Sequence, residues 1–450
     1  MKLHTKILLG LVIGAALGAS LNLSLGGQHA LVSGLNRYVA GPIGQIFLRL
    51  LFMVVMPLVF ASVALGVAGI GDVRRVGKMA GRTLAYFLGT TALAASMGLL
   101  LVGIVRPGSR ISAEVREGLL STFAGDASVK IDAAQSTTFG IDTFVGIVTR
   151  NPLRSAVEGD MLGLIFFALV FGAAVTLIKR SRGETMIAFL EALSDTVTKI
   201  VEMSMRIAPY GVAGLIFGVT SRFGFALLEP LGIYVAVVLG ALALHVAVTM
   251  SLIIRFVIGA SPLDFFSRIR ASIVTAFSTS SSAATLPTNL EVSERELGIP
   301  PKIAGFVLPL GATMCMNGTS LFEGITVIFL CQVFGVDLDL GQQIVVMVLA
   351  VITAIGAAAV PGGSIPLLVG ILAMFGVPPE GIAVVLGVDR ILDMARTAVN
   401  VIGDHTAAAF IARSEGVWSA ESMPSEYGDG IASLEESPSW PVSDDGQGEG

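Results

Sequence analysis

The stretch from Val388 to Thr406 carries several charged and amide side chains near the end of a long apolar sequence. On a helix with about 100° per residue, these side chains fall on one stripe roughly 100° wide. The members of the stripe are Asp389, Asp393, Arg396, Thr397, Asn400 and Asp404. A charge at the centre of a bilayer costs about 2.5–3.5 kcal/mol. The pattern therefore predicts a stripe that faces a protein interior or a watery cavity, either as a functional site or as an ion-pair network that only joins helices.

The composition of the chain is that of a membrane protein. Hydrophobic residues make up 54% of the 450 residues and charged residues only 14%, with a mean hydropathy of +0.84. Soluble proteins carry about 25% charged residues. The composition therefore predicts a polytopic membrane protein, in which the polar stripe lies on a membrane helix.

The net charge of −5 comes from the C-terminal end of the chain. Residues 414–450 contain nine acidic residues and no Lys or Arg, while the rest of the chain has 28 basic and 24 acidic residues, a net charge of +4. Because this end is also rich in Ser, Pro and Gly, we expect residues 414–450 to form a disordered acidic cytoplasmic tail. No basic cluster with interleaved aromatic residues suggests nucleic acid, and no Cys/His motif suggests a metal enzyme.

Apolar runs long enough to cross a bilayer, about 20 residues each, recur along the chain. We expect membrane spans at about 6–25, 43–70, 83–105, 139–178, 187–220, 229–258, 300–334 and 388–406. A secretory signal is the alternative for the first run, but its length and the spans that follow favour a retained helix. Lys and Arg residues cluster after the second and fourth spans and just after the sixth, which predicts that both termini are cytoplasmic.

Two further segments are too short to cross the bilayer in one pass. Residues 262–297 and residues 340–376 each contain two apolar halves of about 12 residues, or roughly 18 Å of helix, separated by turn-forming residues. The span 300–334 between them has a polar break from Cys315 to Ser320. Interrupted segments in corresponding positions are typical of transporter sites formed by inverted repeats. We therefore predict an all-α protein with eight transmembrane helices and two re-entrant helical hairpins.

The residue types at these breaks fit a small ligand with two carboxylates and one ammonium group. Half-helix N-termini favour an anionic group, and Ser280, Ser281 and Ser282 add hydroxyl donors, although a serine run alone is more often a loop or a cap. Arg396 offers a fork for a second carboxylate. Asp393, one helical turn away, suits an ammonium group. Aspartate and glutamate have this combination of groups.

Glu323 is a candidate proton carrier. It lies one turn beyond Thr319 on the broken helix, and burial favours the neutral form of a carboxyl group. A hydrogen-bonded structural glutamate fits the sequence equally well. We interpret His245 and His405 as structural residues, and without a Gly-x-Ser-x-Gly motif an intramembrane serine hydrolase has weak support.

Several motifs resemble the dicarboxylate/amino acid:cation symporter family, which includes bacterial and archaeal glutamate/aspartate transporters and mammalian excitatory amino acid transporters. The resemblance covers about residues 5–413 and rests on Ala208–Val212, Thr279–Pro287, Leu308–Thr313, Met316–Thr319, Val360–Gly363, Asp393–Asn400 and Gly403–Asp404. It implies a homotrimer with a glutamate transporter-like fold and an elevator mechanism. The membrane domain, residues 1–413, would comprise a scaffold mainly from helices 1, 2, 4 and 5, and a transport domain mainly from helices 3, 6, 7, 8 and both hairpins.

The resemblance also implies which residues bind substrate. By position, the substrate site would comprise Ser282, Thr319, Val360, Asp393, Arg396, Thr397 and Asn400. To these we add the neighbouring serines at the two breaks, Ser280, Ser281 and Ser364. Family members that carry C4-dicarboxylates tend to lack the acid that matches Asp393, and neutral amino acid carriers tend to lack the arginine that matches Arg396. Because this chain has both residues, the resemblance favours an acidic amino acid.

The coupling ions follow from the same resemblance. Asn400, Asp404 and the backbone near Gly311 match a sodium site, and Glu323 matches the glutamate thought to carry the proton in mammalian members. A second sodium site usually reads Asn-Met-Asp-Gly-Thr, but here the sequence is Cys315–Thr319, in which the asparagine at 317 has no charge. A cysteine is also a poor ligand for a hard cation such as sodium. We therefore hypothesise that proton coupling replaces part of the sodium coupling.

Taken together, the sequence predicts a non-enzymatic symporter in the cell membrane that carries L-glutamate or L-aspartate inward with H⁺ and/or Na⁺, without an organic cofactor. Its partners would be the amino acid, cations and membrane lipids. The alternative within this class is a C4-dicarboxylate or neutral amino acid symporter. A ligand-gated anion channel or sensor on the same fold is the alternative from a different class.

Overall fold

The computed structural model describes residues 3–73, 78–112, 115–117, 119, 148–158, 161–224, 228–355 and 362–424. These residues form helices and short turns, with no β-strand among them, which confirms the predicted all-α class. The α-helices are α1 (Leu3–Leu25), α2 (Ala30–Leu35), α3 (Gly41–Phe52), α4 (Val55–Val73), α5 (Lys78–Val105), α6 (Pro152–Glu158), α7 (Met161–Leu177), α8 (Arg180–Phe223), α9 (Leu228–Leu244), α10 (Pro262–Arg268), α11 (Arg270–Thr279), α12 (Ser282–Arg295), α13 (Pro301–Met314), α14 (Asn317–Phe334), α15 (Leu340–Ile355), α16 (Ile365–Met374) and α17 (Ala383–Ser414).

Several helical stretches are long and apolar enough to cross a membrane. Within the described residues these are Thr5–Leu25, Ala30–Leu65, Gly81–Arg110, Arg180–Arg222, Leu228–Ile258 and Pro301–Phe334. They confirm a multi-pass membrane protein. The second begins earlier than the predicted span 43–70, because a turn of π-helix at Asn36–Ala40 joins α2 to α3 without a break. The predicted number of eight spans, the re-entrant placement of the hairpins and the inverted repeats stay predictions.

The polar break predicted inside the span 300–334 is present. Helix α13 ends at Met314, the backbone leaves the helical conformation at Cys315 and Met316, and α14 starts at Asn317. Every residue of α14 is buried. The break therefore places the free N–H groups of the first turn of α14 inside the protein, where they need hydrogen-bond acceptors.

The two segments predicted as hairpins each contain a pair of short helices. Helices α11 and α12 meet at Ser280, which turns the chain in a left-handed conformation with φ of 52°. Helix α11 has 10 residues, or roughly 15 Å, about half of the hydrocarbon thickness of a bilayer. In the second segment, α15 and α16 are separated by residues 356–361, which lie outside the described residues, and by a turn at Gly362 with φ of 76°.

Glycines allow α1 to pack unusually close to α8. Gly10, Gly14 and Gly18 are spaced four residues apart and face the backbone of α8. A Cβ atom at Gly14 would stand 2.5 Å from the carbonyl oxygen of Ala213. Such spacing of small residues is a common way for membrane helices to approach each other. The pair α1–α8 thus forms a close-packed element on one side of the molecule.

The ordered chain continues past the predicted boundary of the membrane domain at residue 413. Trp418 is buried, and its indole Nε1 donates a hydrogen bond to the carbonyl oxygen of Leu297 at 2.7 Å. Burying this large indole attaches the chain after α17 to the end of α12. The acidic tail expected from residue 414 onward stays a prediction. The structure describes the chain as far as Pro424, and residues 425–450 lie outside the described residues.

Replacing Gly14 by Val should destabilise the protein. The added side chain would overlap the backbone of α8, and overpacking costs about 1–3 kcal/mol. Ala16→Val is the matched control, because Ala16 is on the exposed side of the same helix. Thermal unfolding of the purified protein in detergent should show a lower midpoint for Gly14→Val alone, and an equal loss in both variants would contradict the close packing.

Candidate functional site

Helix α17 carries the polar stripe into the interior of the protein, as the sequence predicted. The six stripe residues are each no more than 5% exposed: Asp389, Asp393, Arg396, Thr397, Asn400 and Asp404. Ile391, outside the stripe, is 38% exposed. The helix thus turns its polar face towards the protein and leaves apolar side chains elsewhere, which avoids the cost of charges in lipid.

Arg396 is held by two carboxylates of its own helix. Its Nε and Nη2 lie 3.0 and 2.9 Å from Asp393 Oδ1, and its Nη1 lies 3.0 Å from Asp389 Oδ1. The guanidinium also lies over the ring of Phe322, 4.2 Å from the centroid. Two negative partners and an aromatic face together compensate for the desolvation of a buried cation.

Asp393 is the centre of this cluster. Its Oδ2 accepts a hydrogen bond of 3.1 Å from the backbone N–H of Gly362 and lies 3.5 Å from Nη1 of Arg390. Asp389, Arg390, Asp393 and Arg396, which we call the charged quartet, carry two positive and two negative side chains. Their formal charges sum to zero when all four are ionised, so the quartet is balanced without a ligand.

Asn400 joins α17 to the start of α14. Its Oδ1 accepts hydrogen bonds from the N–H groups of Gly318 at 2.7 Å and Thr319 at 3.3 Å, and its Nδ2 donates to Thr319 Oγ1 at 2.9 Å. The amide thereby caps the free N-terminal turn of α14. Gly318 allows the two helices to approach closely, because a Cβ atom there would collide with the backbone of Arg396.

Asp404 is a buried carboxylate beside the thiol of Cys315. Its two oxygens accept no hydrogen bond from an N–H or O–H group of the described residues. The backbone of α13 approaches it so closely that a Cβ atom at Gly311 would stand 2.5 Å from Asp404 Oδ1. A buried charge without a partner is costly. The carboxylate and the nearby backbone therefore fit a hard cation, which prefers oxygen ligands.

The second sodium site, doubted from the sequence, has neutral side chains in the structure. Thr91 Oγ1 donates a hydrogen bond of 2.9 Å to Asn317 Oδ1, and both residues are buried. Asn317 and Cys315 both lie against Gly403, where a Cβ atom would stand 2.7 Å from each of them. These groups supply no negative charge of their own to a cation, as the sequence suggested.

Glu323 lies deep inside the protein on α14, next in the chain to Phe322. Its Oε2 lies 2.7 Å from the hydroxyl of Thr353, while its Oε1 is buried and has no partner among the described residues. Thr353 Oγ1 also lies 2.7 Å from the carbonyl oxygen of Leu349, one turn earlier in its helix. Because a hydroxyl has one proton, both contacts are satisfied together when a protonated Glu323 donates to Thr353. This geometry accommodates a proton.

The serine candidates are placed less directly. Ser280 and Ser364 have buried hydroxyl oxygens that find no hydrogen-bond partner in the described part of the chain, and Ser364 is two residues from the Gly362 N–H that binds Asp393. Ser281 Oγ caps α12 by accepting from Ala284 N at 3.1 Å, and Ser282 is buried at the start of that helix. Helix α11, which precedes these serines, packs against α17. The candidate Val360 lies outside the described residues.

The structure adds residues that the sequence argument did not assign to the site. Asp389 was on the predicted stripe but had no role, whereas it is the second partner of Arg396. Arg390 lies off the stripe, and Phe322 was not singled out. The Asp389–Arg396 pair could have been predicted, because an acidic residue seven positions before an arginine lies two helical turns away on the same face.

Fold and site together define a polytopic helical membrane protein with a buried, charge-balanced site and a separate buried carboxylate. Comparison with known proteins identifies the group. The sequence profile of the "Sodium:dicarboxylate symporter family" matches residues 3–414. The chain therefore belongs to the sodium:dicarboxylate symporter family, a family of transporters and not of enzymes.

Named relatives are similar over most of their length. A "Proton/sodium-glutamate symport protein" of Bacillus subtilis (strain 168) is 37% identical over 417 residues, which cover 92% of this chain and 93% of the relative. A "Proton/glutamate-aspartate symporter" of Escherichia coli (strain K12) is 34% identical over 375 residues, 83% of this chain and 85% of the relative. A "C4-dicarboxylate transport protein" of Bacillus subtilis (strain 168) is 32% identical over 376 residues, 83% of this chain and 87% of the relative.

Replacing Asn400 by Ala should lower the stability of the protein. It would leave the buried N–H of Gly318 without an acceptor, and an unsatisfied buried donor costs about 1–3 kcal/mol. Thr397→Val is the control on the same helix face, because the Thr397 hydroxyl bonds only the carbonyl of Asp393 one turn back, at 2.8 Å. We expect a clearly lower thermal unfolding midpoint for Asn400→Ala than for Thr397→Val. Equal midpoints would show that the cap is dispensable.

Proposed function

We propose that this protein is a secondary active symporter that brings L-glutamate or L-aspartate into the cell together with H⁺ and/or Na⁺. The observation that carries the proposal is the pairing of Arg396 with Asp393 in a buried, charge-balanced site. A guanidinium beside a carboxylate is the complement of a ligand that carries a carboxylate beside an ammonium group. The printed names of the glutamate and glutamate-aspartate relatives support the same substrate class.

The proposed ligand would exchange partners with the quartet. Its ammonium group would bind Asp393, and its side-chain carboxylate would take the fork of Arg396. The second carboxylate would bind hydroxyl and backbone donors of Ser280, Ser281, Ser282, Thr319, Val360 and Ser364. In this scheme Asn400 holds α17 in register with the start of α14, and the Thr397 hydroxyl bonds the Asp393 carbonyl within α17.

A C4-dicarboxylate is the second candidate substrate, because one relative carries that name and is 32% identical. Such a ligand has no ammonium group and would leave Asp393 with its existing partners, Gly362 and the arginines. A neutral amino acid fits less well, since it would leave the buried Arg396 without a ligand carboxylate. Asp393 therefore favours an amino acid over a C4-dicarboxylate, and Arg396 favours an acidic amino acid over a neutral one.

Two buried carboxyl groups are proposed to carry the coupling ions. Asp404 would bind sodium together with Gly311 and Asn400. Glu323 would carry the proton. The support lies in their different surroundings. Asp404 has two oxygens that accept no hydrogen bond from an N–H or O–H group of the described residues, whereas Glu323 has one oxygen bound to the Thr353 hydroxyl.

An elevator mechanism in a homotrimer, with both termini in the cytoplasm, completes the proposal. In it, helices α5 and α9–α17 would move with the substrate against a fixed group that includes α1, α3 and α8. The quartet supports this division, because it lies against an apolar wall formed by Ile7, Phe47, Met205, Ala208 and Val212. An apolar wall makes no directional bonds to the charged face, so a sliding movement would break none.

Replacing Asp393 by Asn should change substrate preference. Hydrogen bonds to charged groups contribute about 1.5–3 kcal/mol, so the affinity for aspartate should fall by roughly 10- to 100-fold. Succinate, which has no ammonium group, should retain or improve its affinity because the quartet gains a positive charge. Competition by each compound against labelled aspartate uptake in proteoliposomes measures both affinities.

Asp389→Asn is the matched control for this experiment. It changes the charge of the quartet by the same amount but leaves the Asp393 carboxylate in place. If both variants shift the ratio of aspartate to succinate affinity equally, charge balance alone explains selectivity and the proposed ammonium site is wrong.

Replacing Glu323 by Gln should uncouple uptake from protons. Proteoliposomes with the unmodified protein should accumulate labelled L-glutamate or L-aspartate under an inward proton gradient alone, because the carboxyl group can carry a proton. Glutamine cannot titrate, so the variant should lose this accumulation. Thr353→Val is the control, because it removes the hydrogen bond of 2.7 Å but keeps the carboxyl group and should keep proton-driven uptake.

The same assay separates the remaining possibilities. A strict requirement for a sodium gradient, with an unchanged pH dependence in Glu323→Gln, would contradict proton coupling and assign the coupling to Asp404. Failure to accumulate either amino acid against its gradient would instead favour a channel, because a channel cannot concentrate its solute.

A further inference from the structure

Arg390 is the loosely bound cation of the charged quartet. Its Nη1 lies 3.5 Å from Asp393 Oδ2, and its Nε has no hydrogen-bond acceptor in the described part of the chain. Arg396, by contrast, makes three contacts of 2.9–3.0 Å with two carboxylates. Both arginines are buried, with 8% and 2% exposed. A buried cation with a long contact is poorly compensated, so Arg390 stabilises the fold less than its burial costs.

The surroundings of Arg390 extend the reach of its charge. The residue lies at a narrow gap between α17 and the apolar wall, where Ile7, Phe47 and Met205 face it. Apolar side chains screen a charge far less than water does. At an effective dielectric constant of about 20, two unit charges about 10 Å apart interact strongly enough to change an affinity roughly tenfold. Arg390 can therefore influence a bound ligand without touching it.

Arg390 and Arg396 hold different oxygens of Asp393. Arg396 occupies Oδ1, whereas Arg390 and the N–H of Gly362 occupy Oδ2. In the proposed exchange of partners, the ammonium group of the ligand takes the place of Arg396 at Oδ1. Arg390 then keeps its contact with Oδ2. Its charge is thus a fixed part of the site, both before and after the ligand binds.

The formal charge of the quartet decides how much ligand charge the site tolerates. With Arg390 the sum is zero, and without it Asp389 and Asp393 outweigh Arg396 by one negative charge. Aspartate and glutamate carry one net negative charge, C4-dicarboxylates carry two, and neutral amino acids carry none. A quartet with a net negative charge would repel these three classes in proportion to their charge.

We propose that Arg390 is a specificity-determining residue that sets the net charge of the ligand that the site accepts. Under the proposed function, which this role presupposes, Arg396 and Asp393 recognise individual groups of the ligand. Arg390 compensates the overall negative charge of the ligand instead, without contact. Removing the charge of Arg390 should therefore shift the preference of the site from acidic towards neutral amino acids.

Three ligands of similar size and different net charge test this role: succinate, L-aspartate and L-asparagine. Isothermal titration calorimetry of the full-length protein in detergent measures their dissociation constants without any transport assay, with competition against aspartate for weak ligands. The pH and the sodium concentration are held constant, so that the charges of Glu323 and Asp404 do not vary. In Arg390→Gln, the affinity for aspartate should fall about tenfold relative to asparagine, and the affinity for succinate about 100-fold.

Further variants separate charge from packing. Arg390→Lys keeps the charge and should keep the relative affinities for the three ligands, whatever its effect on the absolute ones. Arg390→Met places an unbranched apolar side chain against the same wall and gives the same test if Arg390→Gln folds poorly. The double variant Asp389→Asn, Arg390→Gln removes one charge of each sign, so its relative affinities should return to those of the unmodified protein.

The outcomes distinguish the role of Arg390 from the proposed function. An equal change of affinity for all three ligands in Arg390→Gln, or a double variant that does not restore their relative affinities, would overturn the role of Arg390 alone. If the unmodified protein binds none of the three ligands, the proposed function itself is wrong.

Discussion

A guanidinium buried inside the protein is the constraint on which the centre of this molecule depends. Arg396 is 2% exposed, and an unpaired charge in such a place would cost several kcal/mol. Asp389 and Asp393 supply two carboxylates, and the ring of Phe322 covers the flat face of the guanidinium. These contacts require α14 and α17 to be in close contact. The absence of a side chain at Gly318 allows that approach, and Asn400 fixes it by capping α14.

The same arrangement compensates the charges of the site with the protein's own groups. Asp393 is already bound by Arg396, by Arg390 and by the N–H of Gly362. A ligand with one ammonium group and a nearby carboxylate can replace both members of the Asp393–Arg396 pair. Its ammonium group takes the place of Arg396 beside Asp393, and its carboxylate takes the place of Asp393 beside Arg396. Neither buried charge then loses its counterion during the exchange. Under the proposed function, selectivity follows from this rule, since a ligand that lacks either group leaves one member of the pair without a new partner.

The helical period was enough to predict the main features of α17. The polar side chains of α17 recur with helical spacing on one face, so the buried stripe could be predicted from the sequence alone. The break near Cys315 could be predicted because polar residues interrupt an apolar run there. The pairs of short helices within 262–297 and 340–376 could be predicted from the length of their apolar runs. These features depend on hydrophobicity summed over many residues, which the chain specifies locally.

Contacts between distant parts of the chain could not be predicted in this way. The bond from Asn400 to the N–H of Gly318 joins residues 82 positions apart, and that from Trp418 to Leu297 joins residues 121 positions apart. Periodicity gives the angle of a side chain around its helix, but not its rotamer or its partner. Arg390 lies off the predicted stripe, yet its long side chain reaches Asp393. The site residue Val360 depends on a resemblance, and its role stays a prediction.

The two remaining buried carboxyl groups differ in a way that bears on coupling. A proton satisfies one oxygen of a carboxyl group and turns it into a donor, which suits Glu323 because the Thr353 hydroxyl is 2.7 Å away and can accept. A metal cation needs several oxygen ligands at once. That requirement suits Asp404, whose oxygens accept no hydrogen bond from an N–H or O–H group of the described residues and whose Oδ1 lies against the backbone of α13. Glu323 also follows Phe322, the ring beneath Arg396, so under the proposed function a proton there would lie close to the group that binds the substrate carboxylate. Coupling would then act through the charge that the quartet and its ligand share.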